Sequence, residues 1–327
     1  MQVFTCPLCA ADLYFHNTVC NCGHEIVFNP GSQTMIAATD TCANRDRIGC
    51  NWRTEGDALC RACETTETVP DLGASENLGR WRETEQVKRR MFANLARWGW
   101  FTPGDPGARP VFRLLSEETA SGAAQVTMGH ADGLITINVS EADEATRAQR
   151  QEDMGELYRT MLGHLRHETA HFLFVRLSEQ PEFLDAFRAL FGDEREDYGA
   201  ALKAHYADPD APGSDHVSSY ATAHPHEDWA ETVAHLLHLV DLLDSAVAVS
   251  IAGPDLPGPG YDAYADSDTD ALIERAISVS IAVNHVNRAL DLPDLYPFVL
   301  RDGVRTKLAF AHRWLRHGPE SGLSPAA

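Results

Sequence analysis

Three side chains within five consecutive residues could bind a metal ion and activate water on it. His167 and His171 are four residues apart in the segment His167-Glu168-Thr169-Ala170-His171. Four residues make slightly more than one helical turn, so both imidazoles project from one helix face and can share a metal ion. Glu168 is offset around the helix, where it can take a proton from a metal-bound water without occupying a ligand position. The spacing predicts a catalytic zinc site with Glu168 as the base.

A zinc ion held by two histidines needs a third protein ligand, commonly a carboxylate, and an open position for water. Glu227 and Glu231 lie four residues apart at the start of a predicted helix, after a turn-rich loop. One of them could bind zinc while the other accepts a hydrogen bond from a ligand imidazole. Because both carboxylates lie on one helix face, periodicity alone does not choose between them.

Five other histidines lie near these motifs, and we expect none of them to bind the catalytic metal. His224 and His226 lie three residues and one residue before Glu227, and Glu227 would already complete the usual ligand set. His235 and His238 are expected to face the core or solvent. His164 is expected to make a structural polar contact.

All eight cysteines fall within the first 63 residues, in a segment too small to fold on its apolar core alone. Cysteines clustered in this way favour metal ligation over disulfides in a reducing compartment. Two close pairs about ten residues apart are typical of a zinc ribbon and predict a first structural site at Cys6, Cys9, Cys20 and Cys22. The remaining four predict a second structural site at Cys42, Cys50, Cys60 and Cys63. Pairing across the two groups stays open, and His24 is a weaker candidate ligand because four thiolates already complete the first site. The expected cofactors are one catalytic and two structural zinc ions.

The formal net charge of −21 disfavours binding to phosphate backbones. Residues 1–70 contain eight acidic residues against four arginines and no lysine, a net charge of about −4. We therefore expect no nucleic-acid partner, and a ribbon that would more readily dock a protein. No apolar run approaches the roughly 18 residues that span a bilayer, and the N-terminal residues lack signal-peptide features. The sequence predicts a cytoplasmic protein without a membrane partner.

The sequence predicts a zinc-ribbon module over residues 1–68, a linker over 69–80 and a catalytic domain over 81–327. Apolar residues from Leu78 to Trp98 recur on a helical period. Two strand-like runs, 125–128 and 134–139, flank an Asp-Gly pair and predict a hairpin. Further helices are predicted over about 154–178, 182–191, 194–206, 227–249, 268–290 and 303–316. The expected fold is α+β and helix-dominated, with a small antiparallel sheet.

The combined motifs resemble the gluzincin pattern, in which two histidines and a downstream glutamate bind zinc. Tyr220, seven residues before Glu227, is similar in placement to a tyrosine in the catalytic domain of anthrax lethal factor. This resemblance implies that Glu227 is the third zinc ligand and that Tyr220 stabilises the transition state. It places Glu231 outside the ligand set, beside a ligand imidazole.

Nearly the whole chain also resembles a bacterial family of zinc-binding metallopeptidases that have an N-terminal zinc ribbon and, by implication, a zincin-like catalytic domain. The matching stretches are residues 129–138, 165–168, 191–194, 219–221, 227–231 and 294–298. The resemblance implies hydrolysis of a peptide or protein substrate by a zinc-bound water that Glu168 activates. The alternative is a catalytically silent, zinc-stabilised binding or regulatory protein. Glu168 favours the enzyme, because metal binding does not need that residue.

Overall fold

The computed structural model describes residues 2–143 and 160–319. Backbone packing divides the chain into two compact units, residues 1–165 and 166–327. The boundaries predicted at residues 68 and 80 lie within the first unit and stay predictions.

Short hairpins and helical turns make up the N-terminal part of the first unit. Their bounds are β1 (Phe4–Thr5), β2 (Asp12–Leu13), β3 (Ile26–Asn29), β4 (Thr34–Ala37), α1 (Arg45–Ile48) and α2 (Arg61–Glu64). Strand β1 pairs with β2 and β3 pairs with β4, both antiparallel. Phe28 is fully buried, with its ring centroid 4.9 Å from that of Phe15 and 5.8 Å from that of Trp52. These three rings give the segment a compact aromatic core.

A long helix and a small sheet make up the rest of the first unit. The elements are β5 (Thr66–Thr68), α3 (Asn77–Ala96), β6 (Val111–Leu115), β7 (Glu118–Thr119), β8 (Gly122–Ala123), β9 (Gly129–Ala131) and β10 (Leu134–Asn138). The sheet order is β5-β6-β10-β9, and β6 runs parallel to both β5 and β10. Only the β9–β10 pair of this sheet is antiparallel, so the predicted antiparallel sheet is in fact mixed. Helix α3 confirms the predicted helical period and begins at Asn77, inside the predicted linker.

The predicted hairpin forms, but with a different first strand. Strand β10 pairs with Gly129–Ala131, whereas the predicted run 125–128 is not a strand. Asp132 and Gly133 both adopt positive φ, 51° and 80°. A two-residue turn of this kind fixes the strand register, because the residues on either side of the turn must pair with each other. The first strand therefore ends immediately before Asp132.

The described residues of the second unit are mainly helical, as predicted. The helices are α4 (Met161–Leu177), which begins in the first unit, α5 (Pro181–Phe191), α6 (Tyr198–Ala207), α7 (Pro225–Ala248), α8 (Thr269–Ala289) and α9 (Asp302–Arg316). These bounds confirm the six predicted helices within a few residues; the part of the first predicted helix before residue 160 lies outside the described residues. The α+β, helix-dominated fold class is confirmed. Across residues 2–143 and 160–319, no helix has both the length and the apolar character needed to cross a membrane.

Aromatic packing fixes α7 against its neighbours in the second unit. The Trp229 ring is fully buried, with its centroid 5.4 Å from Phe183 and 6.2 Å from Phe310. Its Nε1–H donates to the backbone oxygen of Ala170 at 2.8 Å. Trp229 therefore ties the first turns of α7 directly to the part of α4 that carries His167 and His171.

Candidate metal centre

His167, His171 and Glu227 converge in the second unit as a compact group of donor atoms. The Nε2 atoms of His167 and His171 are 3.2 Å apart. Glu227 Oε2 lies 3.0 Å from His167 Nε2 and 3.6 Å from His171 Nε2. The two histidines lie one turn apart on α4, and Glu227 lies in the first turn of α7.

These separations fit a zinc ion. Tetrahedral zinc with nitrogen and oxygen bonds of about 2.05 Å separates its ligand atoms by about 3.3 Å. The observed distances of 3.0, 3.2 and 3.6 Å lie around that value. Burial raises the pKa of Glu227, but hydrogen bonds and charge from His167 and His171 outweigh it and hold that pKa well below its usual range. The carboxylate is therefore ionised, as a metal ligand must be.

Glu231 lies on the opposite side of the His167 ring. Its Oε1 is 2.8 Å from His167 Nδ1, and its Oε2 accepts a hydrogen bond from Ser218 Oγ at 2.7 Å. A hydrogen-bonded Nδ1 directs the lone pair of Nε2 toward the metal and fixes the imidazole tautomer. The geometry separates the two glutamates, because only Glu227 lies within the group of three donors.

A buried polar contact holds α4 against α7 one residue before the first ligand. Arg166 is 2% exposed and donates from Nη2 to Asp241 Oδ2 at 2.9 Å. Its Nη1 also contacts Nδ1 of His238. Buried charge pairs are sensitive to geometry, so this contact and the Trp229 hydrogen bond restrict how α4 can rotate or slide along α7.

The predicted catalytic side chains lie beside these donors. Glu168 Oε2 is buried and has no hydrogen-bond partner among the described residues. Buried carboxylate oxygens are normally hydrogen-bonded, so this atom fits a role as acceptor for a water molecule at the metal. Tyr220 lies in a short 3-10 helix (Tyr220–Thr222), and its ring centroid is 5.9 Å from that of His167. Burial, followed by the negative charge of Glu227, raises the pKa of Tyr220, so its phenol stays a proton donor.

Tyr198 is a site residue that the sequence interpretation missed. Its hydroxyl donates to Glu227 Oε1 at 2.5 Å, whereas the distances to the two histidines are those of Oε2. Tyr198 is the first residue of α6, directly after the N-cap Asp197. No periodic pattern links it to Glu227, 29 positions away. The Asp-Tyr pair at a helix start was the available signal.

The histidines expected outside the ligand set have other roles among the described residues. His224 caps α7 by accepting from the backbone N–H of His226, whose ring packs edge-on against Phe174 with centroids 4.6 Å apart. His235 Nδ1 lies 2.7 Å from the hydroxyl of Tyr296. His164, in the first unit, lies 3.0 Å from Glu141.

The eight cysteines form two separate groups of four, as predicted, without mixing between them. All eight are free thiols. In the first group, Cys6 and Cys22 are 4.0 Å apart at sulfur and Cys9 and Cys20 are 3.6 Å apart. Tetrahedral zinc with sulfur bonds of about 2.3 Å separates thiolates by about 3.8 Å. His24 lies outside the group of four, with Nδ1 3.4 Å from the Cys22 sulfur.

The second group is completely buried and lies against α3. Cys50 Sγ is 3.6 Å from Cys60 and 3.8 Å from Cys63, again the spacing expected for zinc. Arg89 of α3 is 1% exposed, and its Nε donates to Asn51 at 3.0 Å. The Arg89 charge faces this thiol group and counteracts the rise in the Cys50 pKa, which neighbouring thiols cause first. The second cysteine group is thus part of the packing of the first unit.

Comparisons with known proteins agree with this geometry. A family described as "Putative zinc-binding metallo-peptidase" matches residues 77–314, and a zinc-ribbon domain family matches residues 3–41. A protein of Mycobacterium bovis and proteins of two Mycobacterium tuberculosis strains are each 38% identical over 331 residues. These alignments cover 95% of this chain and 94% of each relative, and all three relatives carry the name "uncharacterized protein". No solved structure matches the chain.

Proposed function

Because the chain belongs to this family of zinc-binding metallo-peptidases, we propose that it hydrolyses peptide bonds with one zinc ion held by His167, His171 and Glu227. The arrangement is of the gluzincin type, with two histidines and a downstream glutamate. The proposal depends on the group of three donor atoms together with the unpartnered oxygen of Glu168, which lies on the helix that carries both histidines. A silent metal site would have no use for a buried carboxylate that lacks a partner.

Zinc in this position would polarise the scissile carbonyl and lower the pKa of water to about 7. Glu168 accepts a proton from the attacking water at its free oxygen and passes it to the leaving amine. Tyr220 donates a hydrogen bond to the developing oxyanion. Glu231, fixed by Ser218, holds His167 in the required tautomer.

The two cysteine groups are proposed to hold structural zinc, because four thiolates leave no open position for a substrate or water. Together with the catalytic ion this gives three zinc ions per chain. We also propose a cytoplasmic location, since ligand thiols persist in a reducing compartment. A peptide or protein is the proposed substrate, and the acidic ribbon is proposed to dock protein and not nucleic acid.

The test compares new protein termini in cells that express wild type or Glu168→Gln. The substitution keeps the size of the side chain and removes the base, so termini produced by this protein should vanish in the variant. A zinc analysis of both purified proteins serves as the control, since Glu168 is not a metal ligand. Identical sets of termini with equal zinc content would refute the hydrolytic proposal and favour a binding or regulatory role.

A further inference from the structure

Glu227 has different partners on its two carboxylate oxygens. Oε2 faces the histidines, at 3.0 Å from His167 Nε2 and 3.6 Å from His171 Nε2. Oε1 accepts a hydrogen bond from the hydroxyl of Tyr198 at 2.5 Å. The side chain of Glu227 is only 1% exposed, so bulk water does not compete for either oxygen.

Tyr198 is 43% exposed, but contacts of its helix start and of its ring position it. Asp197 caps α6 by accepting from the backbone N–H of Ala200 at 3.0 Å, which sets the first turn. The Tyr198 ring packs edge-on against His224, with centroids 5.2 Å apart. His224 is 3% exposed and itself caps α7, three residues before Glu227.

The segment between α5 and α6 is also braced on itself. Gly192 ends α5 with a φ of 104°, a backbone conformation that residues other than glycine rarely adopt. The chain then continues toward α6. Arg188 donates to both oxygens of Glu194, with its Nε 2.9 Å from Oε2. The Nε2 atom of His224 lies 3.2 Å from the backbone oxygen of Glu196. These contacts fix the segment that places the Tyr198 phenol beside Glu227.

From this contact we infer that Tyr198 is a positioning residue that makes Glu227 bind zinc through one oxygen only. The inference rests on the proposed metal site. A carboxylate can bind a metal through one or two oxygens. The hydrogen bond from the phenol to Oε1 competes with metal binding through that oxygen and so favours binding through Oε2 alone. With two imidazoles and one carboxylate oxygen, the fourth position of a tetrahedral zinc stays open for water.

This role differs from that of Tyr220, which the proposed mechanism aims at the oxyanion. Tyr198 acts on the ligand and not on the substrate, so its loss should alter metal binding before any substrate is added.

The test measures metal binding by Tyr198→Phe in the full chain. The number of zinc ions bound per chain is measured across a series of buffers with different free-zinc concentrations. The zinc ion that is missing in His167→Ala is the one that belongs to the catalytic site. Loss of a partner that holds a metal ligand typically weakens affinity by about 10- to 100-fold. We expect Tyr198→Phe to weaken the zinc affinity of the catalytic site by about tenfold. The zinc bound by the cysteines should stay unchanged.

Cobalt then reports the coordination number. Co²⁺ is loaded into the emptied catalytic site while zinc stays in the cysteine sites. When Oε1 is released, Glu227 can bind through both oxygens, so the visible absorption of Co²⁺ should weaken as the coordination number rises. The matched control is Tyr261→Phe, which removes another phenol that donates to a carboxylate, that of Asp266 at 2.7 Å. It should leave both measurements at wild-type values.

The outcomes separate the inference from the proposed function. If Tyr198→Phe binds zinc and Co²⁺ as wild type does, the inference is overturned while the metal site stands. Loss of peptide hydrolysis with unchanged metal binding would overturn it as well, because Tyr198 would then act on the substrate. A wild-type protein with no zinc equivalent sensitive to His167→Ala would overturn both.

Discussion

Exchanging the two glutamates of α7 for alanine, one at a time, should weaken zinc binding to different extents. Glu227 contributes one of three protein donor atoms. A structural zinc site with four ligands binds with about 10–16 kcal/mol, or roughly 2.5–4 kcal/mol per ligand. Glu227→Ala should therefore weaken binding at the catalytic site by roughly 10²- to 10³-fold.

Glu231 is not one of the three donors, but its Oε1 lies 2.8 Å from Nδ1 of the donor His167. Loss of such a contact usually costs about 10- to 100-fold in affinity, or about 1.4–2.8 kcal/mol. Glu231→Ala should therefore still bind zinc at the catalytic site, with an affinity about tenfold higher than that of Glu227→Ala. Ser218→Ala, which leaves the His167 contact in place, should have a smaller effect than either substitution.

The assay is zinc content against buffered free zinc, measured on the full chain with the cysteine sites saturated. Circular dichroism of each variant checks that the helix content of the chain is unchanged. If Glu231→Ala loses the catalytic zinc and Glu227→Ala retains it, the ligand assignment is reversed. The proposed orientation of Tyr198 and Tyr220 toward the site would then lose its basis.

Three further predictions concern metal content and stability. Purified wild type should contain three zinc ions per chain by elemental analysis, and a value near one with an intact ribbon would contradict the two cysteine sites. Lys307→Met should lower the free energy of unfolding by about 3–5 kcal/mol in urea, because Lys307 donates to the buried Asp228 at 2.5 Å; a loss below about 1 kcal/mol would show that the pair is dispensable. Burial, aided by the charge of Arg316, lowers the pKa of His312 from 6.5 to about 4. Between these pH values His312 is protonated in the unfolded chain and neutral in the folded chain. The free energy of unfolding therefore falls as the pH drops from 6.5 toward 4. His312→Gln should flatten that part of the urea stability profile, and an unchanged slope would remove His312 as a contributor.

Local spacing explains which parts of the site could be predicted from the sequence. His167 and His171 share a helix face by geometry alone, so their proximity needed no tertiary information. The grouping of the cysteines followed from short spacings in the same way. The choice between Glu227 and Glu231 depends on where α7 lies against α4, which the Trp229 hydrogen bond to Ala170 helps to fix. Periodicity does not contain that information.

Other features depended on contacts that a one-dimensional pattern does not encode. Tyr198 reaches Glu227 through the braced segment between α5 and α6, and only the folded chain brings them together. Side-chain alternation at 125–128 predicts the wrong first strand for the hairpin, because the two-residue turn at Asp132 and Gly133 places the pairing residues at Gly129–Ala131. The positive φ angles of those two residues set the register instead.

The central claim is that Glu168 acts as the base for peptide hydrolysis at this zinc site. The most direct measurement is turnover of a diverse peptide library by purified wild type and by Glu168→Gln, each with its zinc content determined. General acid–base catalysis contributes about 10²- to 10⁴-fold. We predict that Glu168→Gln cleaves at least about 100-fold more slowly than wild type while it retains the same zinc content. Cleavage at equal rates by the two proteins would contradict it.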